Sequence, residues 1–431
     1  LLTVLAQPLR KGKQIMLVSI IINNYNYGRF VSQAIQSALD QTYRDIEVIV
    51  VDDGSTDGSR AIIASFGSKI RALFKDNGGQ GSAYNAGFAA SSGQLIHFLD
   101  ADDVLYPTAI EEVVKAWEPG VAKIHFYLQV VEGIEATPTR ASIPSGELPS
   151  GDVRPGLLRT GNYNSPPASG NVYLRDVLAA ILPMPEEQWT NHADMYSIYK
   201  SALAGRVHSI SRPLGNYRVH GSNIDAQTLV TGKLLRYRLT KETARDELLA
   251  EYCSTHDLVY APGSVARHIG NGKIRLSSLL IDRDRHPYKE DTALSLLARC
   301  LRLCLTEESF SASKKALFCA WLFAIVISPK GILPALLTLG FVPAKRPRVF
   351  QKFLAHTNFP APAVEDALEA ARRLEKQALA EKHKSSLQEP SEGVTGRQQL
   401  THLNDVTALQ TAMPDLEPSQ PTADNAVEVI Q

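Results

Sequence analysis

Four apolar runs in the first hundred residues, each closed by a polar cluster and followed by a helix-periodic segment, constrain this chain more than any other feature. The run "LVSIII" (residues 17–22) gives way to "NNYNYGRF", and "VSQAIQSALDQ" then carries apolar residues at 31, 34, 35, 38 and 39, one face of a helix. "IEVIVVDD" repeats the strand, "GSRAIIASFG" the helix, "IRALFKD" a third strand, "GSAYNAGFAASSG" a third helix and "QLIHFLDADD" a fourth strand. Strands buried on both faces need such runs, and parallel neighbours need the intervening helices. The pattern predicts an α/β fold with a mostly parallel central sheet covered by helices on both sides.

At 431 residues the chain exceeds the usual size of a single core. The organisation expected is an N-terminal extension (1–15), an α/β domain (16–225), a helical C-terminal region (226–360), and a solvated helix with a polar, disordered tail (361–431). "LLTVLAQPLRKGKQ" lacks the charge-then-apolar order of a secretory signal. Residues 137–169 are rich in Pro, Gly, Ser and Thr and read as a long loop, either a functional lid or disordered. Residues 316–342 are the most apolar stretch, broken by "SPKG" and Pro334 into halves below the roughly 20 residues needed to span a bilayer. They read as a buried helical hairpin or as a peripheral membrane contact extending through 316–352, where the basic "AKRPRVFQK" suits anionic headgroups.

Lys plus Arg and Asp plus Glu number 45 each, so no global charge draws the chain to nucleic acid. Cys253, Cys300, Cys304 and Cys319 form no CxxC pair and are expected to be reduced thiols. Chemistry must therefore come from local clusters. In an open α/β sheet, ligands bind beyond the carboxyl ends of the strands, and four successive strand ends here are polar: "NNYNYGRF", "DDGSTDGS", "KDNGGQGS" and "DADD". Ser55 or Asp57 reads as a cap for the helix starting near Gly58, whereas Asp53, nearer the strand end, can accept from a base N–H or a ribose hydroxyl. "NGGQGS" fits neither GxGxxG nor GxxxxGK[ST] and is weak evidence of a phosphate loop. Asp100 and Asp102 alternate, so both carboxylates can face one site. Such crowding costs stability unless a cation compensates; the readings are a divalent metal carrying a diphosphate, or an acidic turn capping the helix after Pro107.

Three stretches together resemble the family 2 glycosyltransferases of GT-A fold: "VSIIINNYNYGRFVSQAIQSALDQTYRDIEVIVVDDGSTDGS", "NGGQGSAYNAGFAASSGQLIHFLDADD" and "ADMYSIYKSALAGRVHSISRPLGNYRVHGSN". The resemblance covers about residues 16–223. It implies that Asp53 contacts the nucleotide base, that Tyr25 lies against it, and that Asp100 and Asp102 bind ribose and metal (Mn2+ or Mg2+). The family's "ED" at the start of a later helix matches "HAD" here, implying Asp194 as the catalytic base, with Ala193 replacing the preceding acid. "YRxHxxN" matches Tyr217, Arg218, His220 and Asn223, with His220 reaching the metal or diphosphate. Tyr84 stands where many relatives carry Arg. The activity implied is metal-dependent, inverting transfer of a sugar from a UDP- or GDP-linked donor to a hydroxyl of a glycan or lipid-linked sugar. The setting implied is cell-surface polysaccharide or glycolipid synthesis, in the cytoplasm or at the inner face of the membrane. The rivals are a nucleotidyltransferase, for which "NNYNYGRF" offers only Arg29, and a non-catalytic nucleotide-sugar-binding protein.

Overall fold

The first strand is buried on both faces, as its unbroken apolar run requires: every residue from Val18 to Ile22 is inaccessible. The computed structural model describes residues 16–220, 230–261, 263, 269–307 and 310–341. In chain order the first elements are β1 (Val18–Asn24), α1 (Val31–Leu39), β2 (Ile46–Asp53), α2 (Ser59–Ser65), β3 (Arg71–Lys75), α3 (Gly79–Ala90), β4 (Leu95–Asp100) and the short β5 (Val104–Leu105). There follow α4 (Ala109–Ala116), β6 (Val121–Glu132), β7 (Thr137–Ile143), α5 (Arg154–Thr160), β8 (Asn171–Leu174), α6 (Arg175–Ala179), α7 (Ala193–Ala204) and β9 (Arg206–Val219). Five helices close the described chain: α8 (Gly232–Thr255), α9 (Ile269–Ile281), α10 (Ala293–Thr306), α11 (Ala312–Ile327) and α12 (Leu333–Phe341).

Among the described residues, nine strands form one sheet in the order β3-β2-β1-β4-β8-β6-β9-β5, with β7 on β6. The first four are parallel, with β1 between β2 and β4. Beyond β4 the sheet is mixed: β8 runs antiparallel to β4 and β6, while β9 runs parallel to β6. The chain moves outward from β1 to β3 and returns to place β4 on the other side of β1. That reversal falls between β1 and β4, where Asn23 pairs with Asp100 in register, and the carboxyl ends at such a switch point are where open α/β sheets bind ligands.

Alternation along the strands sorts the core. Ile20, Ile22, Val48, Val50 and Leu99 face α1, α2 and α4. Ile21, Ile49, Val51, Ile96 and Phe98 face α3 and α7. Leu248, Leu249, Tyr252 and Cys253 of α8 join the second cluster, whereas Leu235, nearer the start of the same helix, packs with Leu276, Leu296, Leu322 and Leu337. A 24-residue helix is about 36 Å long, enough to serve both cores. The boundary expected at residue 225 thus precedes a helix whose second half belongs to the core beside the sheet.

The expected loop at 137–169 is not structureless. It contains β7, antiparallel to β6, and α5. Pro138 lies in β7, which among the described residues pairs with β6 alone; an edge strand tolerates the missing N–H, and the Pro conceals the strand in sequence. The apolar 316–342 stretch folds as α11 and α12, a hairpin of which Leu322, Ile325, Leu333 and Leu337 are buried apolar residues. The four cysteines are free thiols. The expected extension at 1–15, Asn223, the basic "AKRPRVFQK" segment and the helix and tail at 361–431 lie outside the described residues.

Candidate functional site

The exits of β1 and β2 are tied to each other by side chains the sequence places there. Asn24 Nδ2 donates to Asp52 Oδ1 at 2.8 Å and to Ser55 Oγ at 3.1 Å. Asn26, at φ 58°, accepts on Oδ1 from Thr56 N at 2.8 Å, a left-handed position that Asn tolerates. Asp57 accepts from Ser59 N at 2.9 Å at the start of α2 and from Gly28 N at 2.9 Å; the capping position itself is Gly58, so Asp57 binds the first amide of the helix from one residue outside it. Ser55 instead braces the β1 exit, accepting from Asn26 N. Tyr25 stands on this braced turn, 48% exposed.

Asp53 ends β2 almost fully buried. Its Oδ1 accepts from Lys75 Nζ at 2.7 Å and Gly78 N at 3.0 Å, and its Oδ2 from Gly79 N at 2.7 Å. The amides of "NGGQGS" therefore hold a carboxylate of the chain itself, at the positive end of α3. Gly79 sits at φ +85°, and a Cβ there would lie 2.6 Å from Thr190 Cα. Glycine is what lets α3 begin directly against the segment leading into α7.

The acidic turn after β4 is the electrostatic centre. Asp100 Oδ1 accepts from Asn23 Nδ2 at 3.1 Å, and Gln80 also donates to this carboxylate. Burial, followed by the charges of Asp102 and Asp194, pushes the Asp100 carboxyl up to about 7. Asp102 Oδ2 lies 2.9 Å from His220 Nε2, whose ring packs on Phe30 with centroids 4.8 Å apart. Asp103 accepts from Ser169 Oγ at 2.6 Å and from Arg218 N at 2.9 Å; burial and its two acidic neighbours raise its carboxyl well above the usual range.

Part of the positive charge this turn demands is built in. The Arg218 guanidinium, 1% exposed, donates from Nε to the Asp102 carbonyl and reaches Gly133 O, Ile134 O and Gln33 Oε1. Its sequence match pointed to Arg218 without giving it a task; its partners lie in β6–β7 and α1, which only the fold assembles. Among the described residues no three His, Cys, Asp or Glu side chains are grouped to hold a metal ion. Asp102 and His220 form a two-donor set, which fits a cation whose remaining positions are filled by substrate oxygens and water.

The third carboxylate arrives from α7. His192 precedes the helix at φ 63°, Ala193 N donates to Gln80 Oε1 at 3.0 Å, and Asp194 occupies the first turn. The Asp194 charge acts on Asp100, Tyr84, Tyr173 and Lys123, which lie on β4, α3, β8 and β6 beneath it. Gln80 thus contacts both Asp100 and the start of α7; set in a glycine-rich stretch that also carries Asn77, it gave no sequence signal of its own. Tyr84, in place of the family's Arg, is wholly buried and stacked on Phe98 with ring centroids 3.9 Å apart. Among the described residues its hydroxyl has no hydrogen-bond partner, and burial, which raises its pKa, keeps it protonated. Lys123 Nζ, also unforeseen, is buried on Tyr163 OH, Ser165 Oγ and Asn171 Oδ1.

Comparison with known proteins gives the following. The family model described as "Glycosyl transferase family 2" matches residues 19–181. An uncharacterized glycosyltransferase of Nostoc sp. is 41% identical over 214 residues, 48% of this chain and 66% of that protein. An uncharacterized glycosyltransferase of Rickettsia prowazekii is 50% identical over 98 residues, 23% of this chain and 31% of that one. The chain thus spans just under two thirds of the first relative and under a third of the second. Among solved structures, a mannosyltransferase from Pyrobaculum calidifontis in complex with GDP-Man and Mn2+ is 16% identical with a TM-score of 0.41, covering 77% of this chain and 89% of that one.

Proposed function

We propose that this chain, whose residues 19–181 belong to glycosyl transferase family 2, transfers a sugar from a nucleoside-diphosphate donor to a hydroxyl acceptor by one inverting displacement. The observation that carries the reading is the meeting of Asp100, Asp102 and Asp194 beyond the ends of β1 and β4, where burial first, and then the charges of Asp102 and Asp194, raise the Asp100 carboxyl to about 7. Two acids from one strand end and a third from a different helix suit two tasks: holding a charged leaving group and taking a proton.

Tyr25 offers an exposed ring to the nucleotide base. Among the described residues Asp53 Oδ2 accepts from one donor, Gly79 N, which leaves a lone pair for a base N–H. Asp100 accepts from ribose, steadied by Asn23 and Gln80. Asp102 and His220 would hold Mn2+ or Mg2+ together with the diphosphate, and such a cation, when bound, stabilises the charge developing on the leaving group. Asp194 takes the acceptor's hydroxyl proton as oxygen attacks the anomeric carbon and the bond to the diphosphate breaks. The acceptor class is the hydroxyl of a glycan or a lipid-linked sugar.

Time-dependent release of UDP or GDP on mixing chain, donor sugar and acceptor tests the reaction, and a thermal-shift screen of nucleotide sugars with and without Mn2+ tests binding. Donor-dependent release that needs both acceptor and cation supports the reading. Stabilisation by a nucleotide sugar without any release of UDP or GDP overturns it in favour of a binding protein.

A further inference from the structure

We propose that the α11–α12 hairpin docks flat on an anionic lipid surface. Ala316, Ala320, Phe323 and Ile327 are all exposed, and their spacing of four, three and four places them on one face of α11. Phe323 is 49% and Ile327 80% exposed, and Ile332, at the turn into α12, is 55% exposed. The opposite side of α11 already satisfies the core: Leu322 and Ile325 are inaccessible and pack in the cluster with Leu296, Leu297 and Cys300. The outer stripe of a surface helix ordinarily carries charge. Here the cations of α11 sit in its first turn, at Lys314 and Lys315, and the stripe beyond them is apolar to the end.

Charge selects the occupant. No Asp or Glu occurs from residue 309 to residue 364, whereas Lys314, Lys315, Lys330, Lys345, Arg346, Arg348 and Lys352 fall within that span. A second copy laid on this stripe would bring cations against cations with no acid of the span to pair them. An anionic bilayer pairs them and receives the apolar side chains between its headgroups. Among the described residues no helix is long and apolar enough to cross a membrane. The 16 residues of α11 extend about 24 Å, short of the roughly 30 Å hydrocarbon core. The docking is therefore in the plane of the surface. This inference goes beyond the transferase reading and stands without it.

The test is flotation of the full-length chain with vesicles of phosphatidylcholine alone or with about a third phosphatidylglycerol. Binding is expected with the anionic vesicles, weakened by salt. The double variant Phe323→Ser/Ile327→Ser is expected to lose roughly tenfold or more in partitioning with its melting temperature unchanged, because both side chains are exposed. Should that variant misfold, Lys330→Glu alone is expected to weaken binding at least roughly fivefold. Equal binding to neutral vesicles, or variants that float like the parent, overturns the proposal. So does a double variant that turns a dimer into a monomer while still binding vesicles, since a second copy would then be what covers the stripe.

Discussion

Asp194 stands one residue inside α7, where a carboxylate is favourable beside the helix N-terminus whether or not it takes part in chemistry. Kinetics separate the two roles. Asp194→Asn is expected to lower kcat about 10²–10⁴-fold with donor affinity nearly unchanged, since general-base help is realised only in the transition state. Normal turnover by that variant rules out the base. His97 tests a different property. Its Nε2 faces the carbonyl of Ser169 at 2.9 Å, which can only accept, so Nε2 carries the proton of the neutral ring, and among the described residues the buried Nδ1 has no partner. Charging the ring would bury a cation, and burial holds its pKa at about 4, against 6.5 for the free side chain. The unfolded chain therefore binds the proton first as pH falls. His97's contribution is intact above about 6.5 and is lost as pH drops through about 4, amounting in all to something on the order of 3 kcal/mol. Urea melts across that range should show the decline. A His97→Gln chain, which keeps a donor toward Ser169, should show a flatter one.

The loop into α3 shows how one element positions two parts of the site. Gly78 and Gly79 donate to Asp53, Gln80 reaches Asp100, and Gln80 N and Gly81 N donate to Thr190 O and Trp189 O just ahead of α7. A side chain at position 79 meets both a positive φ and the backbone of Thr190. Gly79→Ala is expected to cost about 2 kcal/mol or more in denaturant melts and to reduce turnover, by moving α7 and Asp194 away from Asp100. An unchanged midpoint and rate would show that α3 does not set the position of α7. The same stretch shows why its glycines were weak evidence of a phosphate loop: the amides of Gly78 and Gly79 are given to Asp53 and that of Gly81 to Trp189 O. β7 is another case, since a Pro-containing edge strand carries little of the apolar alternation by which strands are read.

At the scale of the whole molecule, α8 decides how the helical region relates to the sheet. Leu249 is inaccessible in the cluster with Tyr196 and Tyr199, and Arg245 Nη1 donates to the Tyr199 hydroxyl at 3.2 Å while its Nη2 pairs with Glu242. Leu249→Ala is expected to destabilise the α/β core by about 2–5 kcal/mol and to shift the unfolding curves from tryptophan fluorescence and far-UV circular dichroism together. A separate early transition, with the remainder unmoved, would mean that α8 is a satellite of the sheet. The sequence by itself determined the parallel half of the fold and the elements carrying Tyr25, Asp53, Asp100, Asp102 and Asp194, because apolar periodicity and strand-end polarity are local properties of the chain. It also marked out the apolar hairpin. Tertiary structure alone decided that Asp53 is already held by α3, that Arg218 braces the acidic turn, that Gln80 and Lys123 belong to the site's surroundings, and that one stripe of α11 is left bare. Those outcomes depend on which distant segments become neighbours, on the mixed pairing of β6, β8 and β9, and on desolvation, none of which a local pattern encodes.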